Sequence, residues 1–150
     1  MIIGIPKELN STETRTSITP GTVKSYAKFG FNILVQSGAG DLSHISDTDL
    51  KEAGAEIVSS GNDVFQKSDI IVKVNPPTDE EISLMKEGSM LVSFMQTTKE
   101  TELVKKLQSK KINAISMHLI PRTTLAQKMD ALSSQSNIAG YKAVLMGACH

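Results

Sequence analysis

The stretch IIVKVNPPTDEEISLMKEG, residues 70–88, predicts a strand, a turn and a helix in that order. Its first five residues are a nearly continuous apolar run rich in Ile and Val, which is typical of a parallel strand covered on both faces. Two prolines end the run, and Thr78 is a good cap for a helix. The first turn of that helix is acidic, where the helix dipole favours negative charge. A strand followed by a helix is the repeating unit of an open α/β sheet.

The same unit recurs on both sides of this stretch. Four further apolar runs predict strands, at 2–5, 32–36, 90–94 and 112–117. Amphipathic segments between them predict helices, which start at Thr19-Pro20, at Ser46 or Asp47, at Asn62 or Asp63, and within 99–111. In the last of these helices we expect an ion pair between Glu102 and Lys106 at the favourable i,i+4 spacing. The sequence therefore predicts an open, mostly parallel, Rossmann- or flavodoxin-like sheet between two helical layers.

The end of the chain predicts one long helix, from about Thr124 to Ala148, with no strand after it. At about 100° per residue, Gln127, Asp130 and Ser134 would share one side of this helix, with Ser133 at its margin. The helix is amphipathic for three turns and then apolar nearly all round, which predicts burial on every side.

Gly140 lies in the middle of this predicted helix. Glycine costs about 1 kcal/mol there relative to alanine. A close contact with another helix or with a sheet would explain why it is present.

Composition excludes several classes of function. The 16 basic and 16 acidic residues cancel, so no charge pattern indicates nucleic acid or an anionic membrane surface as a partner. A single cysteine gives no disulfide framework, and the first residues do not predict a signal peptide. The apolar runs are too short to span a membrane. The three histidines lie far apart, without HExxH or CxxC spacing, so we expect no metal site.

Three motifs are candidates for chemistry in the first two thirds of the chain. SGAG at 37–40 follows a strand but lacks the third glycine of a dinucleotide fingerprint, so we interpret it as a turn that needs glycine dihedrals. Arg15 lies in a polar loop after the first strand, and Lys73 lies near the carboxyl end of another. Ligands of open α/β sheets bind beyond those ends, so either cation could meet a carboxylate or phosphate. The alternative for Lys73 is an ammonium that reaches solvent from a strand end.

The segment PRTTLAQKMDALSSQSN, residues 121–137, is unusually polar for a core helix. It combines guanidinium, amide, carboxylate and hydroxyl groups without the Glu–Lys pairs of an ordinary solvated face. Such a set suits hydrogen bonding to a neutral polar ligand, and the alternative is a solvated surface.

Residues 121–144 resemble the signature segment of the NAD(H)-binding alpha subunit of proton-translocating NAD(P) transhydrogenase. IGIPKE, ETRTSITPGTV and SDIIVKVNPP resemble segments that transhydrogenases share with alanine dehydrogenases. The resemblance implies that Arg122 and Asp130 orient the nicotinamide of NAD(H), helped by Ser133 and Ser134. It implies that Gln127 reaches towards NADP(H) on a partner domain, for direct hydride transfer coupled to proton translocation by membrane partners.

The resemblance also implies an organisation. Residues 1–120 would be the N-terminal α/β domain, and 121–150 a loop with a long connecting helix. In both families a GxGxxG Rossmann domain follows, so we expect a truncated or split subunit. Expected partners are the remainder of the alpha subunit and the membrane and NADP(H)-binding subunits, in a homodimeric assembly at the cytoplasmic face of the inner membrane.

Two alternatives compete with this hypothesis. One is an alanine dehydrogenase-like fragment, because Arg15 and Lys73 resemble that family's pyruvate-binding arginine and lysine. Gln96, however, stands where that family has its histidine, which leaves acid–base chemistry without its partner. The other alternative is a non-catalytic module that assembles with other subunits.

Overall fold

Six parallel strands form one open sheet in the spatial order β3-β2-β1-β4-β5-β6. The computed structural model describes residues 1–149. The strands are β1 (Ile2–Ile5), β2 (Asn32–Gln36), β3 (Glu56–Val58), β4 (Ile70–Val72), β5 (Met90–Ser93) and β6 (Asn113–Ser116). The helices are α1 (Pro20–Lys28), α2 (Asp47–Glu52), α3 (Gly61–Lys67), α4 (Asp79–Leu84), α5 (Thr101–Ser109) and α6 (Ala131–Ala148).

The sheet changes direction of winding at β1. The chain runs outward from β1 through β2 to β3, then returns to pair β4 against the other side of β1. Ile3 is therefore opposite Ile33 on one side and Ile70 on the other. The gap between β1 and β4 is the topological switch point, where sheets of this order present a crevice at the carboxyl ends of the strands.

Apolar side chains alternate between two clusters, one on each face of the sheet. On β2, Val35 packs into a cluster with Val23 of α1 and Leu50 of α2. Its neighbour Leu34 packs into the other cluster, with helices α3, α4 and α5. Two helical layers enclose the sheet, which confirms the predicted three-layer fold and the long helix that follows it.

The strand β3 was not predicted from the sequence. It has three residues, its first is a charged glutamate, and it pairs only with β2 at an edge of the sheet. A run this short gives no clear periodicity. The apolar run at 70–74 is also longer than its strand, because β4 ends at Val72.

The prediction of an ion pair between Glu102 and Lys106 is wrong. Glu102 instead contacts Lys105 at 2.7 Å, and the Lys106 ammonium lies 2.6 Å from the carboxylate of Asp79 on α4. All four side chains are largely exposed, so the alternatives differ little in free energy. A carboxylate from a neighbouring helix is enough to change the pairing.

The chain divides into two compact units, residues 1–116 and a second unit from Met117 onward. In the second unit, α6 begins at Ala131 and not at Thr124 as predicted. Asp130 has an extended backbone, and its carboxylate accepts the amides of Leu132 and Ser133, so it caps the helix. A carboxylate at this position stabilises a new helix start.

No residue of α6 described by the structure is buried. Its large apolar side chains are about half to three-quarters exposed: Leu132, Ile138, Tyr141, Val144, Leu145 and Met146. A Cβ atom at Gly140 would meet nothing within 4 Å, so the contact expected there is not found in residues 1–149. No helix within that range is both long and apolar enough to cross a membrane.

Candidate functional site

Residues 122–133 fold around a cavity of about 250 Å³. Every residue that lines it has a polar side chain: Arg122, Thr123, Thr124, Gln127, Asp130 and Ser133. The cavity lies within the second unit and includes most of the polar segment that the sequence singles out.

Tight turns before α6 form this cavity. The Ala126 amide donates to the Thr123 carbonyl at 3.1 Å, and the Met129 amide donates to the Ala126 carbonyl at 2.8 Å. A short 3-10 helix covers Gln127–Met129 and ends at Asp130. Ala126 is buried and Leu125 is almost fully exposed, so the turns have an inner and an outer side. Gln127 and Asp130 both line the cavity.

The Asp130 carboxylate is held by the start of α6. One oxygen accepts the backbone amides of Leu132 at 3.1 Å and Ser133 at 3.3 Å. The other accepts the Ser133 hydroxyl at 2.6 Å. The Ser133 hydroxyl, the two amides and the charge of Arg122 lower the pKa of Asp130, so the group is an anion near neutral pH.

The other polar groups of the cavity have unused hydrogen-bonding capacity. Within the described part of the chain, no hydrogen bond engages the Arg122 guanidinium, the Gln127 amide or the hydroxyls of Thr123 and Thr124. The cavity therefore presents one oriented anion, one cation and several free donors and acceptors. This arrangement is complementary to a ligand that both donates and accepts hydrogen bonds.

Lys73, directly after β4, has a different environment. Its ammonium donates to both carboxylate oxygens of Glu81, each at 2.7 Å. Lys73 is 4% exposed and Glu81 is 5% exposed, so the pair is buried. The suggestion that this ammonium reaches solvent is wrong, because α4 places a carboxylate over the strand end.

Arg15 is bound in a similar way but nearer the surface. Its Nε and Nη2 donate to the two oxygens of Glu13 at 2.8 and 2.7 Å, and its guanidinium lies 5.9 Å from the centre of the Phe94 ring. Arg15 lowers the pKa of Glu13 to about 2, and Glu13 raises that of Arg15. The pair is a bidentate, charge-assisted contact.

The SGAG motif is a turn, as interpreted from the sequence. Gly38 has a φ of 75°, and its amide donates to Asp47 at 2.9 Å. A 3-10 turn follows at Asp41–Ser43, and no helix opens directly from the glycines as a dinucleotide-binding turn requires.

No three His, Cys, Asp or Glu side chains in residues 1–149 gather as metal ligands. His150 lies outside the described residues.

Residues 4–139 match the family described as "Alanine dehydrogenase/PNT, N-terminal domain". The match covers most of the chain, including the second half of β1, the segment after β4 with Lys73, and the cavity. The chain belongs to this family.

Curated proteins and a solved structure are similar to the chain over nearly its whole length. It is 49% identical to NAD(P) transhydrogenase subunit alpha of Haemophilus influenzae, over 99% of the chain and 28% of that protein. It is 34% identical to alanine dehydrogenase of Methanococcus maripaludis, over 99% of the chain and 39% of that protein. A transhydrogenase from Sinorhizobium meliloti has a similar structure, with a TM-score of 0.92 and 34% identity, over 99% of the chain and 44% of that protein. The chain thus spans less than half the length of these relatives.

Within this family domain, the cavity gathers most of the residues that the sequence singled out. Arg122, Gln127, Asp130 and Ser133 all line it, although the continuous helix used to group them does not exist. Ser134 is not in the lining, because its hydroxyl donates to the Asp130 carbonyl at 3.3 Å.

Thr123 and Thr124 line the cavity but were not selected from the sequence. Helical spacing from Thr124 onward could not identify them as cavity residues, since this part of the chain forms turns. In the sequence, only their position next to Arg122 indicates that they could line the same cavity.

Proposed function

We propose that this chain supplies the nicotinamide-orienting cavity of an NAD(P) transhydrogenase alpha subunit. The subunit would transfer hydride between NAD(H) and NADP(H), coupled to proton translocation by membrane partners. The observation that carries the proposal is the all-polar cavity at 122–133, with an ionised Asp130 and an unbonded Arg122 on its walls.

The cavity matches the hydrogen-bonding needs of a primary carboxamide such as that of nicotinamide. A carboxamide has a carbonyl acceptor and an NH₂ donor on one planar group. Arg122 would donate to the carbonyl, and Asp130 would accept from the NH₂ group. Ser133 holds Asp130 in place through its 2.6 Å hydrogen bond, and Ser134 bonds to the backbone of the same residue. In this proposal Ser133 contacts the ligand through the cavity, whereas Ser134 acts only through Asp130.

Gln127 has a separate proposed task. Its amide lies on the same cavity wall but has no partner among residues 1–149. An amide donates and accepts at once, so Gln127 can reach a second carboxamide on NADP(H) carried by a partner domain.

Hydride transfer between two nicotinamides requires that the rings be positioned, and it requires no acid–base catalysis. The nicotinamides supply the redox chemistry when they are bound. The protein must hold two rings in contact with the correct faces together, and it must exclude water. Fixed hydrogen-bonding groups on a short, tightly turned segment suit this task.

The rest of the assembly follows from the lengths of the relatives. The chain spans 28% of the Haemophilus influenzae subunit, so the remaining NAD(H) contacts would come from further polypeptide. We propose the organisation predicted from the sequence: a domain at 1–120, and a loop with a connecting helix from 121. The partners would be the rest of the alpha subunit and the membrane and NADP(H)-binding subunits, with a homodimeric assembly at the cytoplasmic face of the inner membrane.

The two alternatives receive less support from the contacts. An alanine dehydrogenase would need Lys73 to meet a substrate, but its ammonium already donates to both carboxylate oxygens of Glu81 in a buried pair. A purely structural assembly module is consistent with the exposed apolar side chains of α6. It does not explain why six polar side chains line one cavity.

The test uses a chimera in which this chain replaces the matching segment of the Haemophilus influenzae subunit. We expect Arg122→Ala to lower the rate of hydride transfer from about ten- to a hundredfold, since loss of positioning commonly has effects of this size. Lys128→Ala is the matched control, because Lys128 belongs to the same segment but does not line the cavity. Equal rates for the two variants would contradict the proposal.

The same chimera separates the alternatives. Pyruvate- and ammonia-dependent oxidation of NADH that requires Lys73 but not Gln127 would favour an alanine dehydrogenase. A chimera that assembles but transfers no hydride would favour the assembly module.

A further inference from the structure

The switch point of the sheet is occupied by a side chain of the protein itself. Glu8 follows β1, and its carboxylate bonds across to the segment after β4. One oxygen accepts the Val74 amide at 2.6 Å. The other accepts the Asn75 amide at 3.2 Å and the Asn75 side-chain Nδ2 at 3.0 Å.

These contacts have the chemistry of a carboxylate receptor. Two consecutive backbone amides each bind one oxygen, and a side-chain amide adds a third N–H. Hydrogen bonds to an ionised acceptor are stronger than those between neutral groups. Arg15 adds positive charge, since Glu8 is among the groups that raise its pKa.

We propose that Val74 and Asn75 form a carboxylate-binding site, which Glu8 fills and which accepts a small external carboxylate when Glu8 is removed. The Glu8 hydrogen bonds are only partly buried, so an anion the size of formate can enter from solvent. The inference is independent of the nicotinamide cavity, because it concerns the carboxyl ends of the central strands β1 and β4 in the first unit.

Glu8 occupies the place where sheets of this strand order usually bind a ligand. In open α/β sheets, ligands bind at the switch point beyond the carboxyl ends of the strands. Here that position holds a fixed carboxylate, which repels the phosphates of a dinucleotide. The sheet thus has the strand order of a dinucleotide-binding fold, while its own side chain occupies the position of an anionic ligand.

The experiment measures thermal unfolding of the 150-residue chain and of Glu8→Ala during titration with sodium formate. Sodium chloride at the same ionic strength gives the reference. We expect formate to raise the melting temperature of Glu8→Ala by about 3 °C more than chloride does, through linkage of folding to binding. The wild-type chain should not respond, because Glu8 already fills the site.

Two further variants define the specificity. Glu8→Gln places an amide oxygen in the site, so it should respond to formate no more than the wild type. Glu52→Ala removes a carboxylate at the end of α2 and controls for general effects of formate. In Glu8→Ala, formate should shift the NMR signals of the Val74 and Asn75 amides.

Equal effects of formate and chloride on Glu8→Ala would overturn the proposal. So would formate-induced shifts spread over the chain without a maximum at Val74 and Asn75. If Glu8→Ala is unfolded in chloride, the readout becomes folding induced by formate, followed by circular dichroism. A variant that stays unfolded in formate then counts against the site.

Discussion

Two cation–carboxylate combinations with the same sequence separation differ in their surroundings. Lys73 and Glu81 bond directly to each other, and both are buried. Asp130 is instead bonded by the start of α6, and the Arg122 guanidinium donates to no group among the described residues. Lys73, Arg122 and Asp130 were singled out from the sequence, but only the second combination has a cation without a hydrogen-bond partner among the described residues.

The difference shows that residue type alone does not identify a binding group. In a buried pair, each charge compensates the other, and removal of one partner leaves a buried charge without compensation. Such a pair therefore contributes to the stability of the fold and not to ligand binding. A carboxylate fixed by the amides of the residues that follow it, beside a guanidinium with no hydrogen-bond partner in residues 1–149, can bind an external partner.

The largest stability effect should come from breaking the buried pair. Glu81→Gln removes the charge that compensates Lys73, so we expect it to lower the free energy of unfolding by about 3–5 kcal/mol. Urea unfolding measures the loss. Glu102→Gln is the control, because its pair with Lys105 is exposed and should change stability by less than about 1 kcal/mol. Similar values for both variants would remove the distinction between the pairs.

A methyl group should be costly at Gly4 in β1. A Cβ atom there would lie 2.1 Å from the Ser68 hydroxyl and 2.9 Å from a Val64 methyl, so the core must shift. We expect Gly4→Ala to cost about 1–3 kcal/mol in urea unfolding. Gly21→Ala in α1 is the control, because its nearest neighbour would be 3.7 Å away. No loss in Gly4→Ala would mean that this unit is less tightly packed than the distances indicate.

A glycine-to-alanine substitution in α6 should raise stability, whereas the one in β1 should lower it. A Cβ atom at Gly140 meets nothing within 4 Å, so Gly140→Ala gains helix propensity without a clash. We expect about 1 kcal/mol of stabilisation, seen as higher helicity or a later unfolding of this helix by circular dichroism. Unchanged helicity and stability in Gly140→Ala would contradict this expectation.

A small pH effect should come from Glu13. Its pKa falls from 4.5 to about 2 in the folded chain, chiefly through the hydrogen bond with Arg15. A carboxyl with a lowered pKa stabilises the fold above its unfolded pKa, and this contribution disappears as the pH falls towards 2. The stability difference between the wild type and Glu13→Gln should therefore be constant above about pH 5 and shrink below it. A difference that is the same at pH 3 and pH 7 would contradict the pairing.

The sequence predicted the parts of the fold that depend on local pattern. Five strands were identified because parallel strands buried on both faces give near-continuous apolar runs. The strand β3 was missed because three residues at a sheet edge give no such run. The start of α6 was misplaced because a series of turns precedes the helix and Asp130 caps it. The spacing of apolar residues does not distinguish these turns from a helix.

The candidate site was predicted in composition but not in geometry. Arg122, Gln127, Asp130 and Ser133 were selected as a group, and turns bring them together where a helix was expected. The partners of Lys73 and Glu8 were not predicted. Glu8 meets Val74 across 66 residues of sequence, and only the pairing of β1 with β4 brings them together.

Asp130→Asn in the chimera tests the central claim most directly. Asparagine is as good a helix cap as aspartate, so the variant should keep the start of α6 and its melting temperature. It removes the negative charge that would accept the carboxamide NH₂ group. We predict a fall of about tenfold or more in the rate of hydride transfer from NADH, with the fold unchanged. Wild-type rates in a stable Asp130→Asn chimera would contradict the assignment of this cavity to nicotinamide.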